Sequence, residues 1–159
     1  MQVDAYIAIG SNLGDRQRAI AGGLDAIADL HSTSIIACSA VIETDPVGPG
    51  KQGEYLNAVV HVSTALLPRE LLNELMAIES SFGRDRREGV RWGARTLDLD
   101  ILVYSDRVID ESGLVIPHPR MHTRDFVLTP LCEIAPDLVL PVYEKTPQEL
   151  LRALQERTE

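Results

Sequence analysis

The stretch that decides the fold is Leu97-Asp98-Leu99-Asp100-Ile101-Leu102-Val103-Tyr104, in which Leu97, Leu99, Ile101 and Val103 alternate with the other four residues. This period of two predicts a β-strand. Asp98 and Asp100 then point to one face, with their Cα atoms roughly 6.6 Å apart. Two neighbouring carboxylates repel, and burial raises that cost unless a cation lies between them. Hard oxygen ligands with room for water and phosphate suit Mg²⁺, so the pair is a candidate magnesium site.

Arginines are concentrated immediately before this strand. Five of the fifteen Lys and Arg residues lie between positions 84 and 100, namely Arg84, Arg86, Arg87, Arg91 and Arg95. The guanidinium groups of arginines are planar and permanently charged, and they can donate paired hydrogen bonds to phosphate oxygens. Taken alone, an Asp-x-Asp pair is often the polar face of a half-exposed sheet, and an arginine-rich stretch is commonly a solvated loop. Their coincidence favours a phosphoryl-transfer site.

The composition narrows the class of protein. With 159 residues and 45% hydrophobic content, we expect one globular domain, residues 1–159. A net charge of −9 argues against nucleic-acid and anionic-membrane partners, which require a broad basic surface. Cys38 and Cys132 lack metal or redox spacing, and neither a signal peptide nor a long apolar run is visible. We therefore expect a cytoplasmic protein.

The order of predicted elements indicates an α+β fold. Periodicity predicts strands over 3–9, 36–42, 55–64 and the aspartate pair, with helices over 15–30 and from Pro68 to Gly83. A hairpin over 108–116 follows, and Thr146-Pro147-Gln148-Glu149 is typical of a capped helix start. The order βαββαβ predicts a ferredoxin-like sandwich, an antiparallel sheet with helices on one face, plus a C-terminal hairpin and short helices.

A second candidate site lies where a proline- and glycine-rich loop meets the strand over 55–64. The loop is Thr44-Asp45-Pro46-Val47-Gly48-Pro49-Gly50, and Tyr55 and Asn57 share a strand face at its end. An aromatic ring beside an amide that can both donate and accept hydrogen bonds could hold a flat heterocycle. The loop is equally compatible with a plain connection, and a tyrosine that fills an edge beside an asparagine that hydrogen-bonds the loop is the more common situation.

Several motifs occur together in a recognisable order. They are Ala8-Ile9-Gly10-Ser11-Asn12-Leu13-Gly14, Thr44-Asp45-Pro46-Val47-Gly48-Pro49, Tyr55-Leu56-Asn57-Ala58, Ile78-Glu79, Gly83-Arg84, the run from Arg91 to Ile101, Ile116-Pro117-His118 and Phe126. With these motifs the chain resembles the 6-hydroxymethyl-7,8-dihydropterin pyrophosphokinases of folate biosynthesis, over nearly its whole length. The run ending at Ile101 is the most specific to that family.

The resemblance implies transfer of pyrophosphate from ATP to the pterin hydroxymethyl group, with release of AMP. Asp98 and Asp100 would hold two Mg²⁺ ions against the triphosphate, which agrees with the pattern of the pair itself. Arg84 and Arg95 would be catalytic and phosphate-contacting. Arg91 and Trp92 would lie in a loop that closes over the nucleotide.

The resemblance also implies two binding regions. The pterin would lie between Tyr55 and Phe126, near Trp92, with its edge contacted by Asn57 and by the backbone of Thr44, Asp45, Pro46 and Val47. ATP would contact Glu79, His118, the backbone of Ile101 and, through a flanking charge, Arg124. Met76, Gly113 and Pro119 depart from residues frequent in the family, which weakens the expectation of polar, phosphate and adenosine contacts there.

Other classes of protein remain as alternatives. A different nucleotide transferase or a metal-dependent phosphatase would release ADP or phosphate and would not need Tyr55 or Phe126. An inactive sensor of ATP or pterin would not need Asp98, Asp100 and Arg84, which are all present. A protein that only binds other proteins through its acidic surface would not explain why these motifs occur together. We expect small-molecule partners and a monomer, with a dimer as the alternative.

Overall fold

The computed structural model of the chain describes residues 1–44, 55–83 and 96–157. These residues form seven strands and four α-helices in a mixed α+β order. The elements are β1 (Val3–Ser11), α1 (Arg16–Ala28), β2 (Thr33–Cys38), β3 (Ile42–Thr44), β4 (Tyr55–Thr64), α2 (Pro68–Ser81), β5 (Asp98–Tyr104), β6 (Ile109–Glu111), β7 (Leu114–Ile116), α3 (Asp125–Ile134) and α4 (Pro147–Arg157). A 3₁₀ turn over Met121–Thr123 precedes α3.

The main sheet has five strands, and its pairs are antiparallel, as the element order predicts. Its order is β2-β4-β1-β5, with β3 also paired to β4. In the register, Gly10 of β1 lies opposite Asn57 of β4 on one side and Asp98 of β5 on the other. The hairpin β6-β7 forms a separate two-stranded sheet. The central position of β1 therefore places the candidate residues of β4 and β5 on either side of it.

Helices cover both faces of the sheet. On one face, Ile7, Ile9 and Val60 belong to a core that includes residues of α1 and α2. On the other face, Val59 and Leu102 belong to a second core with residues of α3 and α4. The two helices of the predicted βαββαβ order, α1 and α2, lie on one face as expected, and apolar side chains of the later helices α3 and α4 bury the second face as well. These are Val127, Leu128, Leu131 and Leu150.

The strand predicted over 36–42 is two strands, β2 and β3. The break occurs at Ser39, whose Oγ accepts a hydrogen bond of 2.9 Å from the backbone N–H of Val59, in place of a backbone carbonyl. The next backbone N–H, that of Ala40, donates to the Glu133 carboxylate. A register shift in β2 between Ile35 and Ala37 also leaves Ile36 56% exposed. Contacts distant in sequence therefore interrupt a locally regular pattern.

A β-bulge divides β5. Its pairing with β1 shifts register between Tyr6 and Ile7, which leaves Leu102 as the extra residue. The alternation predicted from the sequence holds from Asp98 to Ile101 and then inverts. Tyr104 therefore lies in the core formed with α1 and α2, and Val103 lies in the core formed with α3 and α4. The Leu102 carbonyl accepts a hydrogen bond of 2.9 Å from the backbone N–H of His118. The bulge thus attaches the segment after β7 to the edge of the sheet.

Local signals explain where the helices begin and end. Asp15 caps α1 by accepting a 3.1 Å hydrogen bond from the Arg18 N–H. Pro68 starts α2, and Gly83 follows that helix with a φ of +91°. The predicted capping box of α4 is confirmed by reciprocal hydrogen bonds between Thr146 and Glu149. Among the described residues, no helix has the length and apolar character needed to span a membrane.

Candidate active site

The floor of the site is a row of three residues on adjacent strands. Asn57 of β4, Gly10 of β1 and Asp98 of β5 lie side by side, because residues directly opposite in antiparallel strands share a face. In the next row, Ala8 lies opposite Asp100. The prediction that the two aspartates share a face is therefore confirmed. Their face is the one that α3 partly covers, and between β4 and β5 this face of β1 carries the small residues Gly10 and Ala8.

The two aspartates fit a magnesium site that a substrate completes. Asp98 is half-buried and Asp100 is exposed. Within residues 1–44, 55–83 and 96–157, no group of three or more His, Cys, Asp or Glu side chains could hold a metal ion by itself. Mg²⁺ in nucleotide sites usually keeps several waters and binds one or two carboxylates together with phosphate oxygens. The donor set of this face therefore matches Mg²⁺ that arrives with a nucleotide.

Glu79 lies beneath this strand and holds its backbone. Its side chain is on α2 and is only 6% exposed. One carboxylate oxygen, Oε2, accepts a 2.8 Å hydrogen bond from the backbone N–H of Leu99, the residue between the two aspartates. A charged acceptor strengthens such a bond. This contact fixes the outer edge of β5 at the point where the candidate metal ligands project from it.

His118 is held in a defined orientation at the end of the hairpin. Its Nδ1 accepts a 3.1 Å hydrogen bond from the Arg120 N–H, so the neutral ring carries its proton on Nε2. Burial lowers the pKa of His118, as do the charges of Arg124 and Arg120, whereas Asp100 opposes this shift. The neutral ring is a hydrogen-bond donor through Nε2. Such a donor suits a phosphate oxygen beside Asp100.

A cavity of about 230 Å³ opens beside His118 at the outer edge of β5. Leu99 directs its N–H away from β1 to Glu79, and alternate residues of a strand direct their N–H groups to the same side. The N–H of Ile101 therefore also points away from β1, toward this cavity. The lining residues are mostly apolar: Leu72, Leu99, Asp100, Ile101, Gly113, Leu114, Val115, His118 and Pro119. This composition suits a flat apolar ring with a few polar atoms.

Two aromatic side chains border the floor. Tyr55 begins β4 and is half-buried, and Phe126 lies in the first turn of α3, where it packs against the second core together with Ala8. The guanidinium carbon of Arg124 lies 5.8 Å from the centre of the Phe126 ring, a cation–π arrangement. Thr44 of β3 lies opposite Tyr55 and accepts a 2.8 Å hydrogen bond from Asn57 Nδ2. Aromatic and amide groups are thus neighbours at one end of the floor.

Seven of the predicted site residues lie outside the described part of the chain. They are Asp45, Pro46, Val47, Arg84, Arg91, Trp92 and Arg95. The other ten occupy two neighbouring regions, the sheet floor and the edge of β5. They are Thr44, Tyr55, Asn57, Glu79, Asp98, Asp100, Ile101, His118, Arg124 and Phe126.

Sequence reasoning missed two residues that shape these regions. Gly10 lies just beyond the strand predicted over 3–9 but within β1, and an isolated glycine in a strand pattern signals a close backbone approach. Tyr143 donates a 3.1 Å hydrogen bond from its hydroxyl to the His118 carbonyl, and no local pattern indicates this contact. Sequence reasoning therefore finds side chains with obvious chemistry more readily than residues that position them.

The structure accounts for one of the three departures from the family pattern. Gly113 has a φ of +77° in the tight turn between β6 and β7, a conformation that favours glycine over a basic residue. Pro119 lines the cavity beside His118. Met76 is exposed on α2. Nothing in the structure explains why methionine occupies position 76.

Comparison with known proteins agrees with these observations. The family model described as 7,8-dihydro-6-hydroxymethylpterin-pyrophosphokinase (HPPK) matches residues 6–136. The 2-amino-4-hydroxy-6-hydroxymethyldihydropteridine pyrophosphokinase of Haemophilus influenzae is 48% identical over 139 residues, covering 87% of this chain and 86% of that one. The enzyme of the same name from Pseudomonas aeruginosa is 45% identical, covering 93% and 90%.

Solved structures support the fold. The crystal structure of wild-type Plasmodium falciparum HPPK-DHPS with pterin and p-hydroxybenzoate superposes with a TM-score of 0.77 at 16% identity. It covers 99% of this chain, which spans 44% of that longer one. At this low identity the superposition bears on the fold alone. The family match and the curated relatives, together with the described site, show that the chain belongs to the 7,8-dihydro-6-hydroxymethylpterin-pyrophosphokinase family.

Proposed function

We propose that the chain transfers pyrophosphate from ATP to the hydroxymethyl group of 6-hydroxymethyl-7,8-dihydropterin in folate biosynthesis. Its curated relatives carry the name of this enzyme. The observation that carries the proposal is the row of Asn57, Gly10 and Asp98, which places an amide suited to a heterocycle beside a candidate metal ligand. In this reaction the hydroxyl oxygen bonds to the β-phosphorus. The bond from that phosphorus to the oxygen of the α-phosphate breaks, and AMP leaves.

Asp98 and Asp100 would bind two Mg²⁺ ions together with the triphosphate. Bound Mg²⁺ neutralises charge on the phosphates and holds nucleophile and phosphorus in line. The half-buried Asp98, in the same row as Asn57, would bind on the side of the pterin hydroxyl, while the exposed Asp100 would bind on the side of His118. Glu79 would keep both carboxylates in place through the Leu99 backbone.

The cavity at the edge of β5 would hold the adenine of ATP. Its apolar lining would contact the ring, and the outward N–H of Ile101 would meet a ring nitrogen. His118 lines the cavity and lies close enough to Asp100 for that charge to affect its pKa. Its Nε2 would donate a hydrogen bond to the triphosphate. Arg124 would add positive charge nearby. Arg84, Arg91 and Arg95, outside the described residues, would supply the main phosphate contacts that the family resemblance implies.

The pterin would occupy the other end of the floor. Its ring would lie between Tyr55 and Phe126, with its polar edge toward Asn57 and Thr44. The remaining contacts implied by the family resemblance fall on residues outside the described part: Asp45, Pro46, Val47 and Trp92. Because Asp98 and Asn57 are two strands apart, a pterin bound at Asn57 would extend its hydroxymethyl group toward Asp98.

The same proposal includes the architecture and setting of the chain. The strand order β2-β4-β1-β5 supports a ferredoxin-like arrangement with residues 1–159 as one pyrophosphokinase domain. We place its action in the cytoplasm, where ATP is available and where Cys38 and Cys132 would remain free thiols. We propose a monomer, with a dimer as the alternative.

Phosphorus NMR of the protein with ATP, Mg²⁺ and 6-hydroxymethyl-7,8-dihydropterin tests the reaction. We expect AMP and a pterin diphosphate, formed only when both substrates are present. Formation of ADP or free phosphate would instead indicate another transferase or a phosphatase. Binding of both substrates without turnover would indicate an inactive sensor.

A further inference from the structure

We infer that Gly10 and Thr44 together hold the Asn57 amide in one orientation, and so set which ring edges the pterin region accepts. The inference rests on the proposed function, because it assigns Asn57 to the pterin. Gly10 and Asn57 lie directly opposite each other on the two central strands of the sheet. Gly10 would be a positioning residue, since it acts on the ligand only through Asn57.

The space around Gly10 is already filled by the amide. A Cβ atom built at Gly10 would lie 2.9 Å from Asn57 Oδ1 and 3.4 Å from the Leu56 carbonyl oxygen. The first distance is shorter than Cβ atoms tolerate, so any residue larger than glycine would displace the amide oxygen. In glycine, the hydrogen at that position points to Oδ1. A C–H to oxygen contact is weakly favourable, whereas an amide N–H at the same place would face another hydrogen.

Thr44 holds the other side of the amide. Asn57 Nδ2 donates a 2.8 Å hydrogen bond to Thr44 Oγ1 on β3. The oxygen of Asn57 is therefore directed toward β1 and its nitrogen toward β3. An added Cβ at Gly10 would rotate or shift the amide and weaken the bond to Thr44, so the two contacts act together.

The held amide has a defined recognition capacity. An asparagine amide has two N–H donors and two acceptor lone pairs. One donor is used by Thr44, which leaves one donor and the carbonyl oxygen for a ligand beside the half-exposed side chain. The complementary group is a flat ring edge with an adjacent donor and acceptor, as in a cyclic amidine or lactam. Its donor must lie on the β1 side and its acceptor on the β3 side.

A double-mutant cycle on the full-length protein tests this inference. The variants are Gly10→Ala, Asn57→Ala and the double variant, with equilibrium binding of 6-hydroxymethyl-7,8-dihydropterin and of Mg²⁺ with α,β-methylene-ATP as readouts. Gly10→Ala should weaken pterin binding about tenfold or more, because a displaced amide loses its hydrogen bonds to the ligand. Nucleotide binding should change by less than about twofold, because the cavity at β5 does not contain Gly10.

The background variant separates the amide from other causes. In Asn57→Ala the Oδ1 atom is absent, so adding Gly10→Ala should change pterin affinity by less than about twofold. Thr44→Val should weaken pterin binding, and Thr44→Ser should recover most of the affinity. Gly14→Ala is the control for a glycine replacement that is costly away from the amide, because a Cβ there meets nothing within 4 Å but the φ of +69° disfavours alanine and should lower the melting temperature. It should leave pterin affinity unchanged.

Three results would overturn the inference. They are unchanged pterin affinity in Gly10→Ala, a full loss from Gly10→Ala in the Asn57→Ala background, and equal weakening of pterin and nucleotide binding with a lower melting temperature. The last would show that Gly10 serves only the strand. Failure of the wild-type protein to bind the pterin at all would instead contradict the proposed function, so the two failures are distinct.

Discussion

Asp98 and Asp100 project from one strand into different surroundings, one half-buried and one exposed. In the proposed reaction their carboxylates would supply negatively charged oxygen ligands to Mg²⁺. The rest of the floor would keep these carboxylates in place. Gly10 on the central strand leaves room for the Asn57 amide, and Glu79 accepts a hydrogen bond from the backbone between the two aspartates.

Replacing either carboxylate by an amide should remove activity and preserve the fold. We expect Asp98→Asn and Asp100→Asn each to lower turnover by about 10²-fold or more, because the metal loses a charged ligand. Release of AMP measures turnover, and thermal denaturation without Mg²⁺ serves as the control for folding. Near-normal turnover in both variants would contradict the metal assignment.

Glu79 should matter for stability as well as activity. Glu79→Ala removes the acceptor of the Leu99 N–H and leaves it buried, which should cost about 2–3 kcal/mol in the free energy of unfolding. Glu79→Gln retains an acceptor oxygen and should cost about 1 kcal/mol. Urea denaturation measures both values. Equal stability of the alanine and glutamine variants would show that the hydrogen bond to β5 contributes little.

At the scale of elements, the turn between α3 and α4 is under backbone strain. Val142 has a φ of +71°, which is rare for a β-branched residue. Glu144 also has a positive φ, of +55°. Between them, Tyr143 places its hydroxyl 3.1 Å from the His118 carbonyl and 3.1 Å from His122 Nδ1. Strained residues persist where surrounding contacts hold them, and here the contacts reach the segment that carries His118.

Tyr143→Phe should therefore affect the nucleotide more than the pterin. It removes only the hydroxyl, so the free energy of unfolding should fall by about 1 kcal/mol. The KM for ATP should rise, because the backbone of His118 loses a partner, while the KM for the pterin stays the same. Steady-state kinetics with each substrate varied in turn measures this difference. A parallel rise in both KM values would argue against a specific effect on His118.

Val142→Gly is the matched control for the turn. It relieves the positive φ while the Tyr143 hydroxyl stays in place, so both KM values should remain unchanged.

The start of α4 should give a measurable acid dependence of stability. Hydrogen bonds from the Thr146 backbone and hydroxyl lower the pKa of Glu149 below 4.5. The unfolded chain binds the proton more readily, so this contribution is present above pH 4.5 and is lost as the pH falls through the lowered pKa. Glu149→Gln should flatten the fall in melting temperature below pH 4.5 relative to wild type. An identical slope in both proteins would contradict this assignment.

At the scale of the whole molecule, two cores share one sheet. Leu71 of α2 is fully buried in one core and Leu131 of α3 in the other. Each Leu→Ala substitution should cost about 2–5 kcal/mol, and a single cooperative transition should remain in both variants. Urea denaturation followed by both far-UV circular dichroism and tyrosine absorbance tests this, since Tyr104 lies in one core and Tyr6 in the other. Separate transitions in the Leu131 variant would show that α3 and α4 unfold independently.

Much of this architecture could be predicted from local patterns. The bounds of β4 and α2 follow from alternation, helical spacing and the residues that end them. The breaks in β2 and β5 could not be predicted in this way, because the Ser39 contact to Val59 and the Leu102 bulge depend on residues far away in sequence.

The candidate site also has features that local sequence patterns predict and features that depend on tertiary contacts. The shared face of Asp98 and Asp100 follows from spacing alone. The close approach of Gly10 to Asn57 and the contact of Tyr143 with His118 depend on which strand or turn lies alongside. A sequence pattern identifies residues with the required chemistry, whereas tertiary contacts determine how each is oriented.

The bulge in β2 has a consequence for how copies of the chain behave at high concentration. β2 is an outer strand of the sheet, and a regular outer strand offers a row of backbone groups on which another chain can add. The register shift at Ile36 and the Glu133 carboxylate at the Ala40 N–H interrupt that row. Irregularity at this edge therefore shortens the regular strand on which another chain could pair, beside the exposed isoleucine.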